Sequence, residues 1–237
     1  MMRLGKGPFE GLAVRLEPLG RHHREALREA LNRDPECWDV QYSRGASDHF
    51  ESYWAGLTSG RARTAFAVLL RSSGRLVGTT SYLDASPRDR SVEIGSTYYV
   101  PEVRGGVVNP ETKLLLLTHA FDRGAHRVQF SIDGRNARSQ AAVAKLGAVQ
   151  EAVLRRHRVT WTGHVRDTVI FSIVDREWPD VRSRLHRRVL AALDHAGRGT
   201  GSSTTADLPS AEGEAPPSPS SEELAASRGH STPSTAG

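Results

Sequence analysis

Residues 98–117 read YYVPEVRGGVVNPETKLLLL, a β-rich run that meets a basic, glycine-bearing turn and continues into an amphipathic helix. Asn109 suits the N-cap, because its side-chain oxygen can accept from the first-turn amides, and Pro110 suits position N1, where no donor is needed. The free amides and the positive end of the helix then face the Arg104–Gly106 turn, where missing side chains let a ligand approach the backbone. The stretch predicts a strand–loop–helix unit that binds a phosphate or pyrophosphate.

The Arg104–Gly106 turn also has a purely structural interpretation, because many glycine turns before capped helices bind nothing. Two familiar nucleotide loops do not fit the sequence. No Gly-Lys-Ser/Thr follows Gly106, as a P-loop requires, and no G-x-G-x-x-G opens the helix, as a dinucleotide-binding fold requires. A ligand of this turn would be held in another way.

The composition divides the chain in two. With 237 residues and 38% hydrophobic content, the chain can bury one good core in one or two domains. From residue 196 onward it is rich in Gly, Ser, Pro and Thr and has no aromatic residue. Such a segment cannot bury enough apolar surface to offset its ordering entropy. We therefore expect a folded domain over residues 1–195 and a disordered tail over residues 196–237.

The folded part is markedly basic. Residues 196–237 hold two Arg against one Asp and four Glu, a net of −3, so residues 1–195 carry +8 when the whole chain carries +5. Arg and His concentrate at 154–158 and 182–188, which favours an anionic cofactor, an acidic substrate or nucleic acid. A solvated arginine-rich surface explains the second cluster equally well. Nucleic acid is the least supported partner, because the first cluster has no interleaved aromatic residue for base stacking.

The single cysteine, Cys37, rules out a disulfide framework and a thiolate metal site, and it indicates a cytoplasmic protein. The first twenty residues lack the apolar core of a signal peptide, and no apolar run approaches 18 residues. We expect no metal and no membrane partner.

Hydrophobic periodicity and turn signals predict the order β–α–α–β–β–β–α–β–α–β–β–α. The helix after residue 109 is expected to bury Leu114, Leu117 and Phe121. It separates two strands that should therefore be parallel neighbours. The predicted fold is α/β, a mixed and mostly antiparallel sheet of about seven strands with helices on both faces. The predicted strands are 12–17, 64–71, 76–84, 91–100, 127–133, 148–160 and 164–174, and the predicted helices are 20–32, 47–59, 110–123, 136–146 and 178–196.

This order resembles the GCN5-related N-acetyltransferase (GNAT) superfamily, in particular its RimJ/RimL (ribosomal-protein-alanine N-acetyltransferase) type. The resemblance spans residues 12–180. It rests on LVGTTSYL at 76–83, on SVEIGSTYYVPEVRGGVVNPETKLLLLTHAFDRGAHRVQFSIDGRNARSQAAVAKLGAVQEAVLRRH at 91–157 and on VRDTVIFSIVDREW at 165–178. It implies the GNAT fold, in which the fourth and fifth strands are parallel and splay apart.

The resemblance implies acetyl-CoA as cosubstrate, wedged between the splayed strands with its pyrophosphate on the loop amides. The family pattern Gln/Arg-x-x-Gly-x-Gly/Ala falls here on Arg104, Gly105, Gly106, Val107, Val108 and Asn109. The match is imperfect, since Val107 replaces a usual glycine and Asn109 replaces a usual small residue.

Further positions are carried over in the same way. Asn136 matches the asparagine that binds the pantetheine arm, although it also suits a simple N-cap. Ser139 matches the position near the CoA sulfur. Because the helix that follows has no tyrosine, Ser139 or water would protonate the departing thiolate. Main-chain amides around Tyr98, Tyr99 and Val100 would polarise the thioester carbonyl.

Glu93, in SVEIG, is the best candidate for the general base, acting through a water. Strand alternation predicts that it shares one face with Gly95 and Thr97. A structural ion pair with an arginine is the alternative interpretation of Glu93, and Asp84 and His157 are weaker candidates for the base.

Three functions remain open. The first is acetyl-CoA-dependent transfer to a primary amine, either a protein N-terminus or a small molecule. The others are a degenerate GNAT domain that binds acyl-CoA as a sensor or interaction module, and nucleic-acid binding. In this family the acceptor pocket is built from segments that fall here at 34–59 and 156–166. Trp38, Tyr42, His157 and Trp161 suggest an aromatic, partly polar pocket. The acceptor is not identified, and a homodimer stays open.

Overall fold

The computed structural model describes residues 2–60 and 62–199. The described chain forms one eight-stranded sheet surrounded by five α-helices and four short 3-10 helices. The strands are β1 Phe9–Glu10, β2 Val14–Pro18, β3 Arg63–Leu70, β4 Leu76–Ser86, β5 Ser91–Tyr99, β6 Arg127–Asp133, β7 Val149–Val159 and β8 Val165–Val174. The helices are α1 Arg24–Leu31, α2 Phe50–Thr58, α3 Val108–Asp122, α4 Ala137–Ala144 and α5 Trp178–Gly199, with 3-10 turns at Arg21–His23, Pro35–Val40, Ser47–His49 and Pro101–Val103.

The sheet runs in the order β1-β2-β3-β4-β5-β6-β8-β7. All neighbours are antiparallel except β5 and β6, as predicted. The predicted mixed sheet is therefore confirmed. It has one strand more than expected, because Phe9–Glu10 pairs with the start of β2.

The parallel pair β5 and β6 separates soon after it begins. Only Ser91, Val92 and Glu93 of β5 pair with β6, opposite residues 127–129. From Ile94 onward the two strands diverge. A gap in the middle of a sheet leaves backbone groups and side chains facing open space, which is where α/β sheets place ligands.

A β-bulge lies in β5 at the mouth of this gap. Thr79 of β4 pairs with Tyr98, whereas Ser81 pairs with Gly95, so β5 holds one extra residue between these pairs. Ser96 takes it up with a left-handed φ of 46°. Opposite the bulge, a Cβ on Gly78 would lie 2.2 Å from the Tyr98 carbonyl oxygen, so only glycine allows β4 to approach this closely.

The bulge overturns one expectation. Alternation predicted that Thr97 would share a face with Glu93. Instead, the Thr97 hydroxyl bonds to Lys113 of α3, and the Glu93 carboxylate bonds to Ser131 of β6. An extra residue shifts the period-2 pattern by one position, so the side chains beyond it change direction.

Helix α3 is fixed to the sheet by buried contacts. The Tyr82 hydroxyl donates to the Leu116 carbonyl at 2.5 Å. The Glu111 carboxylate is 2% exposed and accepts from three backbone amides at the start of β2, at 2.5, 2.8 and 2.8 Å. At its other end Phe121 stacks on Trp178 of α5, with ring centroids 5.0 Å apart. The Glu111 contacts hold the beginning of α3 in place, and the Tyr82 and Phe121 contacts fix the rest of the helix.

The N-cap prediction for Asn109 is wrong. Helix α3 begins at Val108, with Val107 as the cap residue and no side-chain cap bond. Pro110 then lies in the first turn rather than at its first position. The first turn tolerates proline throughout, because its amides have no partner inside the helix.

Helix α5 continues to Gly199, a little beyond the predicted end at 196. The rest of the tail predicted over residues 196–237 lies outside the described residues. Within the described part of the chain, no helix is long and apolar enough to cross a membrane.

Candidate active site

A cavity of about 240 Å³ occupies the gap between the diverging strands. It is walled by β5 from Ile94 to Tyr99, by β6 from Phe130 to Asp133, by the loop before α3 and by α4. Seven predicted cofactor-binding residues line it, namely Tyr98, Tyr99, Arg104, Gly105, Asn109, Asn136 and Ser139. The cavity therefore brings together residues that are far apart in sequence. They lie on the strand edges, on the loop and at the beginnings of two helices.

The loop before α3 presents free backbone donors. The amides of residues 105–108 have no hydrogen-bond acceptor among the described residues. Gly105 has a φ of 79°, a left-handed conformation that favours glycine, and a Cβ there would meet open space. With the helix N-terminus behind them, these amides form a site for an anion. Gly106, Val107 and Val108 contribute to this backbone, but they do not line the cavity itself.

The Arg104 side chain orders the loop. Its Nε donates to the Tyr99 carbonyl at 2.8 Å, one Nη bonds the Asp34 carboxylate, and the guanidinium lies 5.6 Å from the Tyr98 ring centroid. Burial by itself would raise the pKa of Asp34, but the Arg104 hydrogen bond and charge outweigh it, and the pKa lies below its usual value. Arg104 thus connects the end of β5 to the loop that follows it, and its charge is paired with that of Asp34.

Asn136 has the N-cap role foreseen for it, and its contact with the pantetheine arm stays a prediction. Its Oδ1 accepts from the Ser139 amide at 3.0 Å, which caps α4. Its Nδ2 makes no hydrogen bond to the described residues, and the residue lines the cavity. Ser139 lies half-buried beside it with its hydroxyl equally unpartnered in that part of the chain. One helix start thus offers the cavity a donor and a hydroxyl.

Lys113 is a site residue that sequence reasoning missed. It lines the cavity and is 4% exposed, and its Nζ donates to the Thr97 hydroxyl at 2.8 Å and the Thr80 hydroxyl at 3.2 Å. Burial lowers its pKa from 10.5 to about 7. No carboxylate lies within ion-pair distance of it among the described residues. In sequence it reads as an ordinary polar position of an amphipathic helix.

A second cavity of about 480 Å³ adjoins the first, and Ser96, Thr97, Ser131 and Arg166 are among the residues that line both. Glu93 lines only this second cavity. Its Oε2 accepts from the Ser131 hydroxyl at 2.7 Å, and Gln129 Nε2 lies 3.4 Å away. Within the described residues no arginine pairs with Glu93, so the structural ion pair considered above does not form.

The wall of the second cavity comes partly from the predicted acceptor segments. Trp38, Tyr42 and Trp161 line it, and Trp161 Nε1 donates to the Trp38 carbonyl at 2.7 Å. His157 is exposed and lines neither cavity. It lies in the exposed middle of β7, where the pairing with β8 is irregular.

Two further sequence candidates fall outside the cavities. Asp84 is exposed on the far part of β4 and lines neither cavity. Val100 is 1% exposed, and its amide donates to the Val77 carbonyl at 2.9 Å. The Val100 amide is therefore already used within the sheet and cannot polarise a thioester. An amide of β5 that polarises a thioester would therefore have to lie nearer the bulge.

Glu17, His22 and His23 form a cluster whose ligand atoms lie within 4.8 Å of one another. The Gly20 amide donates to His23 Nδ1 at 3.1 Å, so that nitrogen keeps its lone pair. In the neutral ring the hydrogen is then on Nε2, which faces Glu17 at 3.4 Å. A metal would need the Nε2 lone pair, so the geometry fits a hydrogen bond that secures the start of α1.

Comparison with known proteins agrees with this architecture. The family model described as "Acetyltransferase (GNAT) domain" matches residues 13–149. A structure from T. thermophilus, described as an acetyltransferase, is 37% identical over 76% of this chain and 95% of its own, with a TM-score of 0.70. A GCN5-related N-acetyltransferase from Brucella melitensis is 27% identical over 80% of this chain and 89% of its own, with a TM-score of 0.73. No curated protein matches the sequence.

The chain belongs to the GNAT acetyltransferase family, because the family model spans more than half of it. Its cosubstrate is accordingly acetyl-CoA. Mycobacterium smegmatis RimJ, solved with CoA-disulfide, is 22% identical over 83% of this chain and 93% of its own, with a TM-score of 0.62. That likeness shows the shared fold alone, so the RimJ/RimL type stays a prediction.

Proposed function

We propose that this protein is an acetyl-CoA-dependent N-acetyltransferase that acetylates a primary amine by direct attack in a ternary complex. The observation that carries the proposal is the position of Glu93. It is the last β5 residue that pairs with β6, so it lies where the strands part. It lines the second cavity, which adjoins the first cavity, where we place the cofactor. A carboxylate at this junction can reach an amine that approaches a thioester from the second cavity.

The residues have distinct roles in this scheme. The free amides of residues 105–108 hold the pyrophosphate, and Asn136 Nδ2 donates to the pantetheine arm. The amine nitrogen bonds to the acetyl carbon while the C–S bond breaks. The proton lost by the amine passes through water to Glu93. The thiolate takes a proton from water, either directly or through the Ser139 hydroxyl, which gives up its proton and regains one from water. For an α-amine of pKa about 7.7–8.0, roughly a tenth is already neutral at pH 7, so a weak base suffices.

The test measures CoA thiol released from acetyl-CoA in an amine panel, using the wild type and Glu93→Gln. We expect Glu93→Gln to lower turnover with acetyl-CoA affinity unchanged, and higher pH to restore part of it because more of the amine is then neutral. Glu29→Gln, which alters an exposed carboxylate on α1, is the control. A loss that is the same from about pH 6 to 9.5 would remove Glu93 as the base.

The alternative is a domain that binds acetyl-CoA without turning it over. It predicts that acetyl-CoA raises the melting temperature while no amine releases thiol. The unpaired Glu93 beside an open acceptor cavity favours the enzyme.

A further inference from the structure

The second cavity is strongly positive. Arg44, Arg63, Arg158 and Arg166 line it, whereas Glu93 is the only acidic residue of the described chain that does so. None of these five side chains takes part in an ion pair within residues 2–60 and 62–199. Elsewhere in the fold arginines near carboxylates do pair, for example Arg104 with Asp34. The cavity therefore holds an excess of uncompensated positive charge.

Arg166 is the most buried of the four. The residue is 5% exposed, and its Nε donates to the Thr168 hydroxyl at 2.9 Å. Its two Nη groups have no protein acceptor in the described part of the chain, and the residue lines both cavities. Burial lowers the pKa of Arg166 from its usual value. The Nη groups are not among the buried atoms of the described chain that lack a partner, so they open onto the cavities and can bind an acceptor there.

Arg158 approaches the same place. Its guanidinium lies 5.3 Å from the Tyr42 ring centroid, and that of Arg166 lies 6.0 Å from it. Two like charges that converge on one ring repel each other, and the nearby Asp133 is already paired with Arg135 at 3.0 Å. An anion between the two guanidinium groups would relieve this repulsion, and two arginines can bind a carboxylate or phosphate through several donors at once.

Glu93 supplies the complementary charge on the same cavity wall. One wall can thus bind an ammonium, while Arg158 and Arg166 bind an anion. A polycationic amine would meet four arginines and a single carboxylate, which is unfavourable.

We propose that the acetyl acceptor is a primary amine that also carries an anionic group, with Arg158 and Arg166 binding the anion and Glu93 facing the amine. This inference rests on the proposed function and narrows its substrate class. The anion can belong to a free amino acid or to an acidic residue near a peptide N-terminus, and the two share the same chemistry at the arginines.

The experiment compares matched acceptors with the CoA-loaded protein and, for turnover, with acetyl-CoA. The probes are β-alanine and phenylalanine, their carboxamides, 1,3-diaminopropane, and short peptides with and without acidic residues at positions two and three. We expect the anionic member of each matched pair to bind at least about tenfold more tightly than its neutral partner, or about 1.4 kcal/mol. A comparison of free amino acids with acidic peptides distinguishes the two sources of the anion.

Arg158→Gln tests the assignment without a buried change, because Arg158 is exposed. It should raise KM for anionic acceptors about tenfold relative to KM for the matched neutral amines and leave KM for acetyl-CoA unchanged. Arg155→Gln, on the same strand but outside both cavities, is the control. Arg166→Lys should retain part of the preference that Arg166→Gln loses.

The outcomes separate the two proposals. Equal binding and turnover of anionic and neutral amines, or binding of no anionic amine, would overturn the inference. Tight binding of anionic amines without thiol release would overturn the transferase function, while Arg158 and Arg166 would still be shown to bind the anion. A rise in KM for acetyl-CoA alone would assign the two arginines to the cofactor and also overturn the inference.

Discussion

Replacing Lys113 with methionine should change how the stability of the protein depends on pH. Methionine has a similar length, so it can fill the same space between α3 and β5. The two hydroxyls that Lys113 contacts are not orphaned, because Thr80 and Thr97 also hydrogen-bond to each other at 2.8 Å. The substitution therefore removes the buried charge and leaves no unsatisfied polar group.

The magnitude follows from the pKa of Lys113, which burial lowers from 10.5 to about 7. Each pKa unit corresponds to about 1.4 kcal/mol, so the charged ammonium costs the native state at most on the order of 5 kcal/mol. Between pH 7 and 10.5 the unfolded chain still binds this proton and the native state does not. Unfolding then takes up a proton, so the free energy of unfolding of the wild type rises with pH.

The Lys113→Met variant lacks this contribution. It should be more stable than the wild type at about pH 6.5, and its advantage should shrink by about 1.4 kcal/mol per pH unit, or roughly 2–3 kcal/mol between about pH 7.5 and 9.5. Urea unfolding at a series of pH values measures the difference. All other titratable groups are common to both proteins, so the difference reports on Lys113.

Lys145→Met provides the control, since Lys145 is exposed at the end of α4. Its stability should follow the wild type at every pH. If Lys113→Met and the wild type had parallel profiles from about pH 6.5 to 9.5, Lys113 would keep an ordinary pKa in the folded protein. The argument for a desolvated ammonium beside the cofactor cavity would then fail.

Three further outcomes are expected. Glu111→Gln should destabilise the protein by about 3 kcal/mol and lower the melting temperature by roughly 6–12 °C, because an amide cannot accept from three backbone donors. Calorimetry measures the melting temperature, and the control Glu29→Gln should leave it unchanged. Arg104→Glu should weaken acetyl-CoA and CoA binding by at least about tenfold in titration calorimetry, since the introduced carboxylate repels both the phosphates and Asp34. Unchanged affinity would show that the loop does not belong to the site. A chain that ends at Gly199 should keep its melting temperature and turnover, and a large loss of either would place the domain boundary later.

Much of the fold could be predicted because burial imposes a period on the sequence. β6 was predicted residue for residue as Arg127–Asp133, and the antiparallel run from β3 to β5 followed from its turn residues. The bulge at Ser96 was missed because serine has no special tendency towards left-handed φ, so no residue type marks the position. The neighbouring strand accommodates the bulge at Gly78, where a Cβ would collide with the Tyr98 carbonyl oxygen.

The buried face of α3 was predicted only in part. Leu117 is fully buried, but Leu114 and Phe121 are only partly buried, and Lys113 belongs to the buried face. A periodicity argument assumes that buried means apolar. It fails where a helix start meets a ligand cavity, because polar groups there have partners on the sheet. The same assumption explains why Arg166 was not predicted as a site residue, since it occupies an ordinary position in a strand.

The bulge at Ser96 affects both cavities, because it sets the directions of side chains on β5. Without the extra residue, Thr97 would share the face of Glu93, and the Lys113 ammonium would lose one of its two hydroxyl partners. With it, the Glu93 carboxylate bonds to Ser131 of β6 and the Thr97 hydroxyl bonds to Lys113 of α3, although both residues line the second cavity. The separation of β5 from β6 begins before the bulge, since Glu93 is the last β5 residue that pairs with β6. The bulge thus separates the Thr97 hydroxyl, which contacts the Lys113 ammonium, from the Glu93 carboxylate. We expect this separation to leave Glu93 without an ion pair, as its proposed role as a base requires.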